Sequence, residues 1–104
     1  MIRLTEKSFK ELKKALSMGF PGCQILLFGS RCDPTAKGGD IDIAVVTKEE
    51  DFLLKKLLVL TYWEMTEIPI ALDIVRYSEE MDPLLKQEVD RWVEKSCSYQ
   101  LSLI

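Results

Sequence analysis

The chain has 104 residues, a net charge of -3 and a sequence pI near 5.0. That length is read as one domain, residues 1–104, with room for one core and none for a separate unit to hold a second substrate. The acidic balance and scattered lysines oppose the basic face that direct nucleic-acid binding requires, and no apolar run approaches a membrane helix or a leader.

Thr5 is placed to cap a helix reaching about Met18, with Gly19 just past its end. Phe9, Leu12 and Leu16 share one face with Ala15, and Lys7, Lys10, Lys13 and Lys14 form a solvated flank. Phe20-Pro21-Gly22 is a turn, and a first strand follows from about Cys23 to Phe28. It stops at Gly29-Ser30. Gly29 allows a close backbone approach to a ligand. Ser30 is positioned to cap a short helical turn whose free amides suit a phosphate, and Arg31 and Lys37 are the nearest cations that can add charge-assisted contacts. The nine residues between Ser30 and Asp40 include Pro34, Gly38 and Gly39, so they are not one regular element.

The second strand is expected over Ile41–Val46. Its mouth reads Asp40-Ile41-Asp42-Ile43, so both carboxylates point to one side, two residues or roughly 6.6 Å apart. Such a pair repels itself and resists burial; a divalent cation with oxygen ligands resolves the conflict. Thr47 is expected to cap the next helix, with Glu49, Glu50 and Asp51 in its first turn and an end at Glu64 or Met65. Phe52, Leu53, Leu54, Leu57, Leu58, Leu60, Tyr62, Trp63 and Met65 give that helix more apolar side chains than one core stripe needs. Two readings follow: a helix packed between sheet and neighbours, or a face, Tyr62 and Trp63 included, that is a protein interface.

Ile68-Pro69 opens a third strand over about Ile70–Arg76. Asp73 is the lone charge in its apolar run, costly unless paired or bound to a metal. Ser78, or Asp82 with Pro83, starts a last helix with Leu85, Val89, Trp92 and Val93 on one face, and the apolar Tyr99 to Ile104 is read as a final strand or a docking tail. The alternation of helix and strand gives an α/β fold: a small mixed β-sheet packed with helices, antiparallel across the short first connection and parallel across the helical second one.

With no histidine, a histidine base, triad or metal ligand is excluded. Cys23, Cys32 and Cys97 lack metal-ligand spacing, and their odd number argues against a full disulfide framework, so a reducing cytoplasm is the natural inference. Chemistry must rest on carboxylates, cations, hydroxyls or a bound metal.

Phe28-Gly29-Ser30, nine residues, then Asp40-Ile41-Asp42-Ile43, with Asp73 in a third strand, resembles the signature of the nucleotidyltransferase superfamily related to DNA polymerase beta. Over most of its length the chain is most similar to the minimal nucleotidyltransferases, the MNT family. The resemblance implies that Gly29 and Ser30 hold the triphosphate of ATP and that Asp40 and Asp42 hold Mg²⁺ on the phosphates. It implies that Asp73 helps to bind a second metal and favours deprotonation of an acceptor hydroxyl. It further implies transfer of AMP to a partner protein, a HEPN-domain toxin for which this chain is the antitoxin; a homo-oligomer would use the surplus apolar surface equally well. The family more often has a small hydroxyl residue where Gly39 stands, and often ends its last helix with a glycine that Glu94-Lys95-Ser96 does not supply. Two rival readings are a non-catalytic module that neutralises its partner by contact, and transfer to a small molecule such as an aminoglycoside.

Overall fold

The computed structural model describes residues 2–94. Helix α1 spans Glu6–Gly19 and begins where the extended Thr5 accepts the Ser8 amide through its hydroxyl at 3.1 Å. Leu12, Ala15 and Leu16 of its apolar stripe are wholly buried. Gly19 lies inside the helix as its last residue rather than beyond it. A Cβ there would stand 2.5 Å from the carbonyl oxygen of Lys55 and 2.9 Å from Val59 Cγ2, so this glycine is a packing residue.

Strand β1 (Gln24–Phe28), a 3-10 turn (Ser30–Cys32), strand β2 (Ile41–Val46), helix α2 (Phe52–Met65), strand β3 (Leu72–Tyr77) and helix α3 (Pro83–Glu94) follow in order. Three boundaries differ from expectation. The Thr47 hydroxyl accepts the Glu49 amide in a local turn, so Glu49 to Asp51 precede α2, with Asp51 at the cap position. β3 begins at Leu72 rather than Ile70, because the Ile70 carbonyl accepts the Trp63 indole N–H at 2.7 Å and the Ile70 amide bonds to Ile68. Of the two candidate starts for α3, Asp82 is the cap: its carboxylate accepts the amides of Leu84 and Leu85 at 2.9 and 3.1 Å. The apolar tail lies outside the described residues.

The sheet has the order β1-β2-β3, antiparallel between β1 and β2 and parallel between β2 and β3, the mixed α/β arrangement expected. Its two faces are identified by their neighbours. Arg76 stacks over the Phe52 ring of α2 at 5.0 Å, whereas the next residue, Tyr77, donates its hydroxyl to Asp90 of α3 at 2.6 Å. Because side chains alternate and register is fixed, Ile41, Ile43, Val45 and Ile74 lie on the α2 side. Asp42, Ala44 and Asp73 lie on the α3 side.

Helix α2 is apolar on all sides, but not as expected of its aromatic residues. Trp63 is only 4% exposed, and the Tyr62 hydroxyl bonds to Glu11 of α1 at 2.9 Å, so both belong to the interior and the α1–α2 seam. The surplus faces solvent through Leu53, Leu54, Leu57, Leu58 and Met65.

Gly19→Ala separates packing from helix propensity. Propensity alone favours alanine by about 0.8–1.0 kcal/mol, but overpacking against a backbone carbonyl typically costs about 1–3 kcal/mol. We expect net destabilisation, a melting temperature lowered by several degrees in calorimetry; a rise would mean that α1 and α2 do not approach so closely.

Candidate active site

The site starts from register. Asp42 of β2 and Asp73 of β3 are direct partners across a parallel pair, with their side chains on the same face. Neighbouring strands lie about 4.8 Å apart, so the two carboxylates leave the sheet side by side. Asp40 has the same parity as Asp42, two residues earlier, just ahead of β2. The backbone is tied there by the Ile41 amide donating to the Ala71 carbonyl at 2.9 Å. The fold thus brings together three acids from two strand openings.

Asp40 and Asp73 are exposed to solvent, and Asp42 is half-buried. No ion pair among the described residues involves Asp40, Asp42 or Asp73. The Asp42 carboxyl is pushed up to about 6, first by partial burial, then by the negative charges of Asp73 and Asp40. As their side chains stand, no three acids among the described residues converge into a metal-ligating cluster. An all-oxygen, anionic donor set of this kind suits a hard divalent cation such as Mg²⁺.

Gly29 forms the floor. It has φ +82, a conformation that favours glycine, and a Cβ there would overlap the Asp42 carboxylate. The Asp42 side chain therefore occupies the space that the missing side chain leaves. Gly29, not Ser30, takes the cap position of the 3-10 turn, and Ser30 is its first residue. The Ser30 hydroxyl instead fills the place where a Cβ on Gly39 would stand, and Gly39 has φ +95. That contact gives a physical reason for glycine at position 39.

The loop from Ser30 to Asp40 is held by two arginines. Arg3, which sequence reasoning missed, donates from its guanidinium to the carbonyls of Ser30, Asp33 and Gly38, each at 2.8 Å. Arg31 donates to the carbonyls of Gly39 at 2.9 Å and Arg3 at 3.0 Å, and its own carbonyl accepts the Arg3 amide at 2.7 Å. Arg31 therefore clamps the loop with two of its donors and does not point them at a phosphate. Lys37 is exposed and makes no hydrogen bond or ion pair among the described residues. Nothing in the sequence around Arg3 signals its role, which depends on three backbone carbonyls 27 to 35 positions away.

A small mixed sheet flanked by helices, with acids at the start of its second and third strands, is the fold of the polymerase beta-like nucleotidyltransferases. The model of the family described as "Polymerase beta, Nucleotidyltransferase" matches residues 10–93, and the chain belongs to that family. No curated protein matches the chain. Among the described residues, no helix is long and apolar enough to cross a membrane.

Two predictions follow from this geometry. Burial and its acidic neighbours push the Asp42 carboxyl up to about 6 from its ordinary 3.8. Its protonation therefore contributes stability that is full below the lower value and is lost as pH rises through the higher one. Without divalent cations, the melting temperature of the native chain should fall relative to that of Asp42→Asn between those two values; parallel curves would refute the coupling. Arg3→Ala removes three charge-assisted bonds and should cost about 2–3 kcal/mol. Arg3→Lys should recover little of that loss, since lysine has no planar fork. Amide exchange should speed up across residues 30–40, and unchanged protection there would remove Arg3 as the clamp.

Proposed function

We propose that the chain transfers a nucleoside monophosphate, AMP from ATP, to a hydroxyl on a partner protein, as the antitoxin of a HEPN/MNT pair within a single minimal nucleotidyltransferase domain. The observation that carries this reading is the register match of Asp42 with Asp73, with Asp40 at hand and no protein cation on any of them. Structural acids are ordinarily paired, and clustered carboxylates with a raised pKa mark functional sites. Membership of a nucleotidyltransferase family supports the same chemistry.

In this reading Gly29 and Ser30 receive the triphosphate at the head of the 3-10 turn, where the glycine leaves the backbone accessible. Asp40 and Asp42 would hold Mg²⁺, and Asp73 would share in a second ion. Bound Mg²⁺ supplies charge neutralisation on the phosphates and a lowered pKa at the acceptor hydroxyl. The acceptor oxygen bonds to the α-phosphorus, the bond to the bridging oxygen of pyrophosphate breaks, and the hydroxyl proton leaves on the Asp73 side. With no histidine in the chain, the carboxylates are the groups able to take it. Arg3 acts as a positioning residue by holding the loop between the phosphate floor and Asp40. Arg31 has a terminal nitrogen left for phosphate, and Lys37 is free to swing inward. The protein acceptor is favoured by the broad apolar surface of α2. Asp42→Asn should leave neutralisation by contact intact if docking alone inactivates the partner.

The test is label transfer from α-labelled ATP to a HEPN-domain partner protein. Labelling should require Mg²⁺ and fall by about 100-fold or more in Asp42→Asn or Asp73→Asn. A cognate partner that takes no label with any nucleotide or divalent metal would falsify the transfer reading.

A further inference from the structure

The solvent face of α2 has the composition of an interior. Leu53, Leu54, Leu57, Leu58 and Met65 are between 49% and 76% exposed and lie at helical spacing on one side, opposite the buried Val59 and Trp63. From Leu53 to Met65 this strip runs about 18 Å along the helix. An open groove of about 650 Å³ continues it, from Leu57, Leu60 and Met65 to Ile70, Ala71 and Leu72 at the outer strand. An apolar strip of this extent, interrupted by the exposed Thr61 and Glu64, marks an interaction site on a small domain.

Charge selects the occupant. Glu50 and Asp51 are exposed at one end of the strip and Glu64 and Glu67 at the other, and none is in an ion pair among the described residues. Lys55 is tied to Glu49 at 3.3 Å, and Lys56 lies on the half-buried flank. A second copy would have to meet this face through the same patch. Paired antiparallel, its helix would set Glu50 and Asp51 against Glu64 and Glu67 twice over; paired parallel, each acid would face its own copy. Both arrangements oppose like charges.

We propose that the α2 strip and the adjoining groove dock a different protein, through a helix whose apolar stripe is bounded at both ends by lysine or arginine. Leucines spaced along one helix accept such a stripe by interdigitation, and the basic ends meet the two acidic ones. The groove ends at Leu72, one residue before Asp73, so the docked protein lies against the strand that carries this acid. That last step rests on the transfer reading, in which the docked protein is also the acceptor; the docking itself does not.

The experiment uses the full chain and two synthetic helical peptides of about 18 residues with identical leucine stripes, one with lysine and arginine at both ends and one with glutamate. The basic-ended peptide should bind at least about tenfold more tightly in fluorescence anisotropy. Leu54→Glu and Leu57→Glu, both at exposed positions, should each abolish most of that binding while Mg·ATP binding by calorimetry is unchanged. Asp42→Asn should do the reverse, so failure of the docking surface and failure of the nucleotide site read out separately. Equal binding of the two peptides, or none, overturns the proposal. So does a concentration-dependent dimer in sedimentation that Leu57→Glu dissociates, since the face then belongs to a second copy. Peptide binding that emerges only after removal of residues 95–104 gives the face to the chain's own tail, and overturns it equally.

Discussion

Asp42 and Asp73 leave adjacent parallel strands in register, and neither is in an ion pair among the described residues. Partial burial and two like-charged neighbours hold Asp42 well above the ordinary carboxylate range. A fold can relieve such a cluster with an arginine, and two arginines stand close by in the chain. Both are turned instead to backbone carbonyls of the loop between Ser30 and Asp40. The cations are thus spent on shaping the loop, and the acids keep their charge. Gly29 completes this arrangement, since any side chain there would displace the Asp42 carboxylate.

The same constraint explains the two loop glycines in different terms. Gly29 makes room for a carboxylate and Gly39 for the Ser30 hydroxyl, so the two ends of the loop interlock through the side chains opposite them. A hydroxyl residue at position 39 would need both a different backbone angle and a different place for Ser30. The loop here is therefore closed by Arg3, Arg31 and Ser30 acting together.

Much of this was legible in the residues. The three strands, the mixed sheet and two helix caps, Thr5 and Asp82, follow from local patterns whose partners lie within three positions. The shared side of Asp40 and Asp42 follows from strand alternation, a local rule too, whereas Asp73, the lone acid of an apolar run, is exposed in the fold and incurs no burial cost. What could not be read depends on distant partners. Gly19 looks like a helix stop until Lys55 and Val59 pack against it. Ile70 looks like strand until Trp63 takes its carbonyl. Arg3 looks like an ordinary charge before a helix until the loop folds beneath it. Thr47 looks like a cap, but its hydroxyl closes a turn two residues on and α2 starts later.

Helix α2 is where periodicity carries least information, because apolar residues occupy every side. The aromatic pair that stood out in sequence is used internally, and plain leucines form the outer strip. The distinction matters for how the molecule is divided. The carboxylates face the α3 side of the sheet, while the strip and its groove lie on the α2 side and reach β3, whose outer edge has no strand beside it among the described residues. A protein seated on that edge approaches Asp73 without covering the Gly29 floor. In the proposed reading, nucleotide and acceptor then come from opposite directions, which is what displacement at a phosphorus atom requires of its attacking and leaving oxygens.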